Sequence, residues 1–441
     1  MWRRALALVY FEVTADEVTG SWVPGPLPVE MPDGRCADRG ARVTYFQPRA
    51  TDSLYGPADG SSVCRWHREV EDGGTGIGVT DVELLSLPRY GPVQDAAAGG
   101  TASGGGSGRY LAVLHMRLSA ADPVGELEGA VRLAPDSEAG VRQREMYTEL
   151  LGPGFRIGEH VRRAQSVALL TSRDKPEAPA GAPETWSAET GWLWYAASAT
   201  GLETFCPDPD DPHVLDGLVY LSASWRALVL RDGISFLGLV RDDASDEGGF
   251  FPWAEAYVRS LYTDAALLAA LQRDGLNDFG NRLARIGDRF EKSAEFRRLV
   301  NEITEFRNVF WWDDVTHHGA ANDLLLRMHA AHRTPNLFAR VVADIDAFKQ
   351  QVEAQALEAS LQIQVVEEKR SRILDHVVSI AIFAFAVPAL VFAGLAVPAD
   401  AISFGGHAVS RWFLLIIGVA ALMLGAVAGG IGGRWLANKR T

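Results

Sequence analysis

Residues 377–397 read VVSIAIFAFAVPALVFAGLAV, and residues 412–433 read WFLLIIGVAALMLGAVAGGIGG. Neither stretch contains a charged residue, and each has the length of about 20 apolar residues that a helix needs to cross a bilayer core of about 30 Å. Pro388 is tolerable in the first stretch, because neighbouring helices can satisfy the carbonyl that it frees. The sequence therefore predicts two membrane-spanning helices, 377–397 and 412–433, joined by an outer loop, 398–411.

The charges beside these two stretches predict their orientation. Three basic residues lie at 369–372, and three more lie in the basic tail, 434–441, whereas the loop 398–411 has one acidic and one basic residue. By the positive-inside rule, the basic ends stay in the cytoplasm. We therefore expect a multi-pass protein of the inner cell membrane with both termini cytoplasmic.

Composition limits what the remainder of the chain can be. The 441 residues carry a formal net charge of −14, and 47% of them are hydrophobic. A nucleic-acid-binding protein needs a basic face to displace counterions, so we expect no nucleic-acid partner. The three cysteines are too few and too widely spaced for a disulfide framework, which fits a reducing compartment.

The region before the first apolar stretch has helical periodicity. Over 251–376, apolar residues recur at the spacing of a helix face, and Pro335 is the one proline after Pro252. This pattern predicts a helical stalk over 251–376, in which one long helix starts at about residue 336 and continues into the first span. Such a rod needs neighbours on its apolar stripe, which predicts subunits packed around an axis.

Residues 1–250 have the pattern of a mixed α/β domain. Strand-like runs occur at 5–13, 43–47 and 110–118, and the Arg-Asp-Gly turn at 231–233 predicts a β-hairpin. A flexible loop, 96–108, reads AAAGGTASGGGSG and divides this domain near its middle.

The predicted fold class is thus an α/β cytosolic domain, a long α-helical stalk and two C-terminal transmembrane helices. This order resembles that of the bacterial CorA-type two-span divalent-cation transporters, over the chain from about residue 110 to its end. The stretches 257–262 (YVRSLY) and 306–312 (FRNVFWW) look like parts of the stalk in distant members. The resemblance implies a homopentamer, in which the first span lines an axial pore that the cytosolic domains gate.

The chain departs from the family at the pore mouth. The family signature is Gly-Met-Asn at the outer end of the first span, and the corresponding residues here are Gly394, Leu395 and Ala396. A methyl group at Ala396 cannot hold a hydrated divalent ion, which gives up its water reluctantly. A face at helical spacing would line the pore as a hydrophobic constriction that gates by dewetting. Its residues are Asp375, Ser379, Phe383, Ala386, Leu390 and Gly394.

The second apolar stretch has small residues at intervals of four, namely Gly425, Gly429 and Gly433. Such a face lets another helix approach closely, so these glycines are candidates for helix packing within the hairpin or between subunits. The alternative is the general enrichment of glycine in membrane helices.

A second constellation lies at 311–318, which reads WWDDVTHH. On a helix, Asp313 pairs with His317 and Asp314 with His318 at i,i+4, a spacing that can bind a transition metal. The alternative is a solvated helix start with exposed histidines. We expect no bound cofactor, apart from a divalent cation as substrate or regulator.

The leading interpretation is a divergent, oligomeric cation channel or transporter of the CorA-like type, gated by its cytosolic domain. Its expected partners are further copies of itself, with a pentamer favoured, and the lipid bilayer. The alternative is a non-transporting, membrane-anchored sensor or effector that uses the same scaffold in signalling or defence. The sequence has no phosphate-binding loop and no hydrolase elbow, so we do not expect an enzyme.

Overall fold

The structure is a computed structural model that describes most of the chain up to residue 395. The described residues are 2–57, 59, 61–70, 78–87, 108–243, 249–286, 293–309, 311, 315–395, 403–404, 407–408, 416 and 419–420. For 49, 293–294, 308–309, 352, 355–356, 359, 380–395, 403–404 and 407–408 the backbone alone is described. The chain divides into two compact units, Met1–Asp346 and Ala347–Thr441.

The first unit is built on a mixed β-sheet. Its strands are β1 (Trp2–Ala15), β2 (Val23–Pro24), β5 (Arg65–Glu69), β6 (Val79–Ser86), β7 (Gly108–Arg117), β8 (Arg156–Ile157), β9 (Gln165–Ser172), β10 (Leu218–Tyr220), β11 (Trp225–Val229) and β12 (Gly233–Gly238). A separate two-stranded pair is formed by β3 (Val29–Glu30) and β4 (Cys36–Ala37).

The strand order places β1 in the interior of the sheet. The order is β10-β11-β12-β9-β1-β7-β6-β5-β2, and β8 pairs with the end of β1. All described pairings are antiparallel except the one between β12 and β9. Because both faces of β1 are covered, its sequence is an almost uninterrupted apolar run instead of an alternating one.

Helices cover both faces of the sheet. The helices of the described chain are α1 (Arg39–Arg42), α2 (Pro48–Tyr55), α3 (Pro123–Val131), α4 (Glu138–Leu151), α5 (Ala188–Ser198), α6 (Phe250–Tyr257), α7 (Thr263–Ile286), α8 (Ser293–Val309), α9 (Gly319–Ala331) and α10 (Thr334–Leu395). One face packs against α3, α4 and α5, and the other against α2, α6, α7 and α9. Alternate residues of β1 enter the two cores: Leu8 and Tyr10 on the α7 side, Val9 and Phe11 on the other.

A mixed sheet domain with helices is therefore confirmed, and its helical layer extends past residue 250. Residues of α6, α7 and α9 belong to the same buried cluster as β1 and β12. A one-turn π-helix, Val258–Tyr262, joins α6 to α7 without a break. The first compact unit thus ends at Asp346, whereas we expected the α/β domain to end at 250.

The long helix expected from about residue 336 corresponds to α10, which has 62 residues. Up to Ser379, where the described side chains end, α10 is repeatedly charged: its longest stretch without an acidic or basic residue is 359–366. A bilayer-crossing helix needs about 20 apolar residues in succession.

The expectation of a membrane protein needs correction. Among the residues that the structure describes, no helix is both long enough and apolar enough to cross a membrane. This finding contradicts the predicted membrane-spanning helices and, with them, the location in the inner membrane.

Several predicted segments fall wholly or largely outside the described residues. The loop 96–108 is described only at residue 108, and the second stretch, 412–433, only at 416 and 419–420. The tail 434–441 lies outside altogether. Within 398–411, the described residues form a short antiparallel pair of β13 (Ser403–Phe404) and β14 (His407–Ala408).

Candidate ligand pocket

A polar cavity of about 240 Å³ lies where β1 and α7 face each other. Tyr10 and Glu12 lie two residues apart on β1, so both side chains point to the same face of the sheet. Arg273 and Asp274 line the cavity from α7, and Gln165 lines it from the start of β9. Few polar residues enter the apolar core between the sheet and the helices, so the polar side chains that line this cavity require an explanation.

Hydrogen-bond donors are in excess on one side of the cavity. The Arg273 guanidinium donates to Oε1 of Gln165 (3.1 Å) and lies 2.7 Å from Nδ1 of His332. Nε2 of Gln165 lies 3.1 Å from Nε2 of the same histidine. A neutral imidazole accepts at only one nitrogen, so it can accept from only one of these two groups. Nε2 of Gln165 has a second acceptor, the carbonyl of Arg231 at 3.0 Å. No described carboxylate lies within ion-pair distance of Arg273.

Burial changes the protonation behaviour of this donor-rich side. Burial raises the pKa of Tyr10 to about 12 against the opposing charge of Arg273, so the phenol stays protonated. Burial, with the nearby charges of Arg273 and Arg231, lowers the pKa of His332 to about 3, so the ring stays neutral. The hydroxyl of Tyr10 is buried and has no hydrogen-bond partner among the described residues. Among the described residues, the donor-rich side therefore presents a cation without an acidic partner and a phenol without an acceptor.

The other side of the cavity is acidic. Arg109 bridges two carboxylates, with 2.7 Å to Oε1 of Glu12 and 2.6 Å to Oδ1 of Asp274. The second oxygen of Asp274 is buried and has no hydrogen-bond partner in the described part of the chain. The second oxygen of Glu12 has a long contact of 3.5 Å to the mostly exposed His160. Burial raises the pKa of Asp274 although Arg109 opposes it.

The pocket is joined to the start of the long helix α10. His332, which contacts both Arg273 and Gln165, is the C-cap of α9. The next residue, Arg333, has φ of +53°, a left-handed conformation that is strained for a residue with a β-carbon. Thr334 then begins α10. The Arg273–His332 contact thus links the cavity to a strained two-residue junction.

A second polar cluster is buried deeper and forms an ion network, in which Nη2 of Arg65 and Nδ1 of His115 have no hydrogen-bond partner among the described residues. Asp264 is bonded to Arg42 (3.0 Å), to Arg65 (2.7 Å) and to the hydroxyl of Tyr55 (2.6 Å), and Arg65 also pairs with Glu83 (2.8 Å). Burial alone would raise the pKa of Glu83, but Arg65 and a hydrogen bond from the His115 ring hold it well below its usual range. This network ties α7 to α1, α2, β5 and β6, and we assign it a structural role.

A surface hollow of about 630 Å³ runs along α4 and residues 152–157. Each residue that lines it is at least partly exposed. Arg144, at its base, already donates to four backbone carbonyls, among them those of Leu133 and Val161. The hollow therefore lacks the unsatisfied buried groups that mark the cavity between β1 and α7.

The candidate metal ligands of the sequence do not share a helix. His317 and His318 are exposed and precede α9, and His318 is its extended N-cap residue. Asp313 and Asp314 lie outside the described residues. In the part of the chain that is described, no group of three or more potential ligands could hold a metal ion.

The residues predicted to line a pore all lie on α10. Asp375 and Ser379 are exposed on this helix, and Phe383, Ala386, Leu390 and Gly394 follow along its described backbone. Of the signature position, Gly394 and Leu395 end α10, while Ala396 lies outside the described residues. Gly425, Gly429 and Gly433 lie outside as well.

Sequence reasoning missed the pocket, because its residues come from five separate segments of the chain. The one local signal was the Arg273–Asp274 pair, which follows the apolar run 265–271 at a position that helical periodicity leaves near the core. Comparisons of the chain with protein-family models, with curated proteins and with solved structures find no match.

Proposed function

We propose that the α/β body is a sensor that binds a small polar molecule between β1 and α7 and transmits its occupancy to the α9–α10 junction. The observation that carries this proposal is that one guanidinium, Arg273, lines the cavity and also contacts His332 at the junction.

Ligand binding can act on the junction because it would change the hydrogen bonds of Arg273. A ligand shifts a conformational equilibrium only by its differential affinity for the two states. An acceptor group in the cavity would compete with His332 for the guanidinium and would also satisfy Tyr10. The strained Arg333 next to His332 makes the junction a segment in which two arrangements can be close in free energy.

This proposal takes up the sensor interpretation of the sequence, without its membrane anchor. Cation transport, the CorA-like gating and a divalent cation as substrate or regulator stay predictions, since the described residues do not test them. The polar lining of the cavity supports a ligand with both charged and hydrogen-bonding groups.

Thermal unfolding of the full chain with a defined panel tests the proposal. The panel contains amino acids, dicarboxylates, inorganic phosphate, a nucleoside monophosphate, a hexose and a diamine. A ligand that binds only the folded state stabilises it by about 2.7 kcal/mol at about 100 times its Kd. We expect one class to raise the Tm of the wild type and not that of Arg273→Gln.

Arg156→Gln is the matched control, because Arg156 is an exposed arginine with a surface acidic partner, Asp16. It should respond to the panel as the wild type does. Equal responses of Arg273→Gln and the wild type would place binding elsewhere and contradict the proposal.

A further inference from the structure

The two sides of the cavity carry opposite charge. On the donor-rich side, Arg273 contributes one positive charge without an acidic partner within ion-pair distance among the described residues. On the acidic side, Glu12 and Asp274 contribute two negative charges against the single positive charge of Arg109. The acidic side is therefore left with about one uncompensated negative charge, and the donor-rich side is positive, since Arg163 in the cavity lining and the nearby Arg231 add to the charge of Arg273.

The buried polar atoms that lack a hydrogen-bond partner are divided between the two sides of the cavity in the same way. Tyr10 offers a buried donor beside Arg273, and the second oxygen of Asp274 is a buried acceptor beside Arg109. A bare anion would bind the donor-rich side and be repelled by the acidic side. A bare cation would bind the acidic side and be repelled by the donor-rich side. A ligand with both charges satisfies both sides, because charge-assisted hydrogen bonds form at each end.

Distance and volume limit the size of this ligand. Tyr10 and Glu12, two residues apart on a strand, are separated by about 6.6 Å along β1. One carboxylate and one ammonium, separated by a short carbon chain, can bridge this distance with a hydrogen bond at each end. The cavity of about 240 Å³ is also smaller than the range of roughly 300–1,000 Å³ that holds drug-sized ligands.

We infer that the ligand is a small zwitterion, an amino acid, whose carboxylate binds Arg273 and Tyr10 and whose ammonium group binds Asp274 and Glu12. This inference rests on the proposed sensor function and names the chemical class of its ligand. Arg163, which also lines the cavity, is exposed, and its Nη2 donates to the carbonyls of Ser198 and Ala199 at the end of α5.

Calorimetric titration of the full chain with each of the twenty L-amino acids tests the inference. For the amino acid that binds most tightly, two matched fragments follow: the carboxylic acid without the amino group, and the amine without the carboxyl group. Each fragment lacks one charge-assisted set of hydrogen bonds, so we expect each to bind roughly 10- to 100-fold more weakly. This comparison uses the wild type alone and does not depend on the folding of a variant.

Two variants then test which side of the cavity binds the carboxylate and which side binds the ammonium group of the ligand. Asp274→Asn should weaken amino-acid binding and leave binding of the carboxylic-acid fragment unchanged, while Arg273→Gln should weaken both. Asp16→Asn, at a largely exposed carboxylate, serves as the control and should change neither.

The outcomes separate the inference from the proposed function. If a dicarboxylate or inorganic phosphate binds and no amino acid does, the zwitterion is wrong and the sensor proposal stands. If no member of either panel binds the wild type, both are contradicted.

Discussion

The hydroxyl of Tyr10 is a buried donor without a described partner, and its surroundings account for this. Its neighbours on the α7 side of the sheet are mostly apolar, and its polar neighbour Arg273 is itself a donor. Leaving a buried polar group unsatisfied costs about 1–3 kcal/mol. The ligand-free protein therefore carries a local penalty that a bound acceptor would remove.

Replacing Tyr10 by Phe removes this penalty and should raise the free energy of unfolding of the ligand-free chain by about 1 kcal/mol, as measured by urea denaturation. Tyr147→Phe is the control, since the hydroxyl of Tyr147 is also buried but donates to the carbonyl of Ala130 at 2.8 Å. That variant should lose about 1 kcal/mol. Equal destabilisation of both variants would mean that the Tyr10 hydroxyl has a partner.

The pKa of His332 predicts how the free energy of unfolding depends on pH. Its pKa is about 3 in the folded chain, against an ordinary value of 6.5, because the ring is buried near Arg273 and Arg231. A depressed histidine pKa means that the unfolded chain binds the proton first, so the folded state loses stability as pH falls below 6.5. The loss between pH 7 and pH 5 should be about 1–2 kcal/mol.

The matching variant is His332→Asn, which keeps a polar side chain and does not titrate. The free energy of unfolding, measured in urea at pH 7 and pH 5, should fall less in this variant than in the wild type. Burial also lowers the pKa of His115, which contributes a loss of the same sign in both proteins. Identical pH dependence of the two would show that His332 titrates normally.

Among the elements, α7 holds the most interactions that fix the pocket. It supplies Arg273 and Asp274 to the cavity, and its first turn supplies Asp264 to the buried ion network. The network fixes the start of α7 against the sheet through Arg42 and Arg65, which are both fully buried. The alignment of Arg273 with β1 therefore depends on a carboxylate well over two helical turns away.

Asp264→Asn should destabilise the chain by about 3–5 kcal/mol, because it leaves Arg42 and Arg65 buried without their shared carboxylate. Asp136→Asn is the control, since Asp136 pairs with Arg162 on the surface and both side chains are at least 60% exposed. Exposed pairs contribute about 0–1 kcal/mol. Chemical denaturation that gives similar values for the two variants would contradict the assignment of the network as structural.

Strands and turns were predictable from the sequence where the run of apolar residues or the turn residues gave a clear local pattern. The run 5–13 lies within β1, and the Arg-Asp-Gly turn at 231–233 connects β11 to β12. Residues 43–47, predicted as a strand, form turns with one isolated bridge from Phe46 to Thr316. There, the apolar side chains pack against a segment far along the chain, which local pattern cannot reveal.

Helical periodicity identified helices after residue 250 but not their packing partners. An apolar stripe shows that one face is buried and leaves open whether a sheet or another subunit covers it. For α6, α7 and α9 the partner is the sheet of the same chain. The pocket was unpredictable for a related reason, since the sheet order brings residues 10, 165 and 273 together from distant positions.

At the scale of the whole molecule, α10 presents apolar side chains to solvent. Leu361, Ile363, Val366 and Ile373 are each more than half exposed in the single chain. A long helix is marginal without neighbours that cover its apolar residues. Self-association through α10 would supply them, and a homo-oligomer, with a pentamer favoured, stays our prediction.

Sedimentation velocity of the full chain should therefore show a species larger than the monomer. Val366→Glu should shift it toward the monomer, because the carboxylate would be buried without a partner in the interface. Gln362→Glu adds the same charge to the same stretch of α10 and should have the smaller effect. A wild-type chain that sediments as a monomer would contradict the prediction.

The central claim is that occupancy of the β1–α7 cavity is transmitted to the α9–α10 junction, and hydrogen exchange measures this most directly. The full chain is compared with and without a saturating concentration of the tightest-binding member of the panel, for wild type and Arg273→Gln. The account predicts that exchange of the amides at 328–340 changes on ligand addition in the wild type and stays constant in Arg273→Gln. Ligand binding in the wild type with unchanged exchange at 328–340 would contradict it.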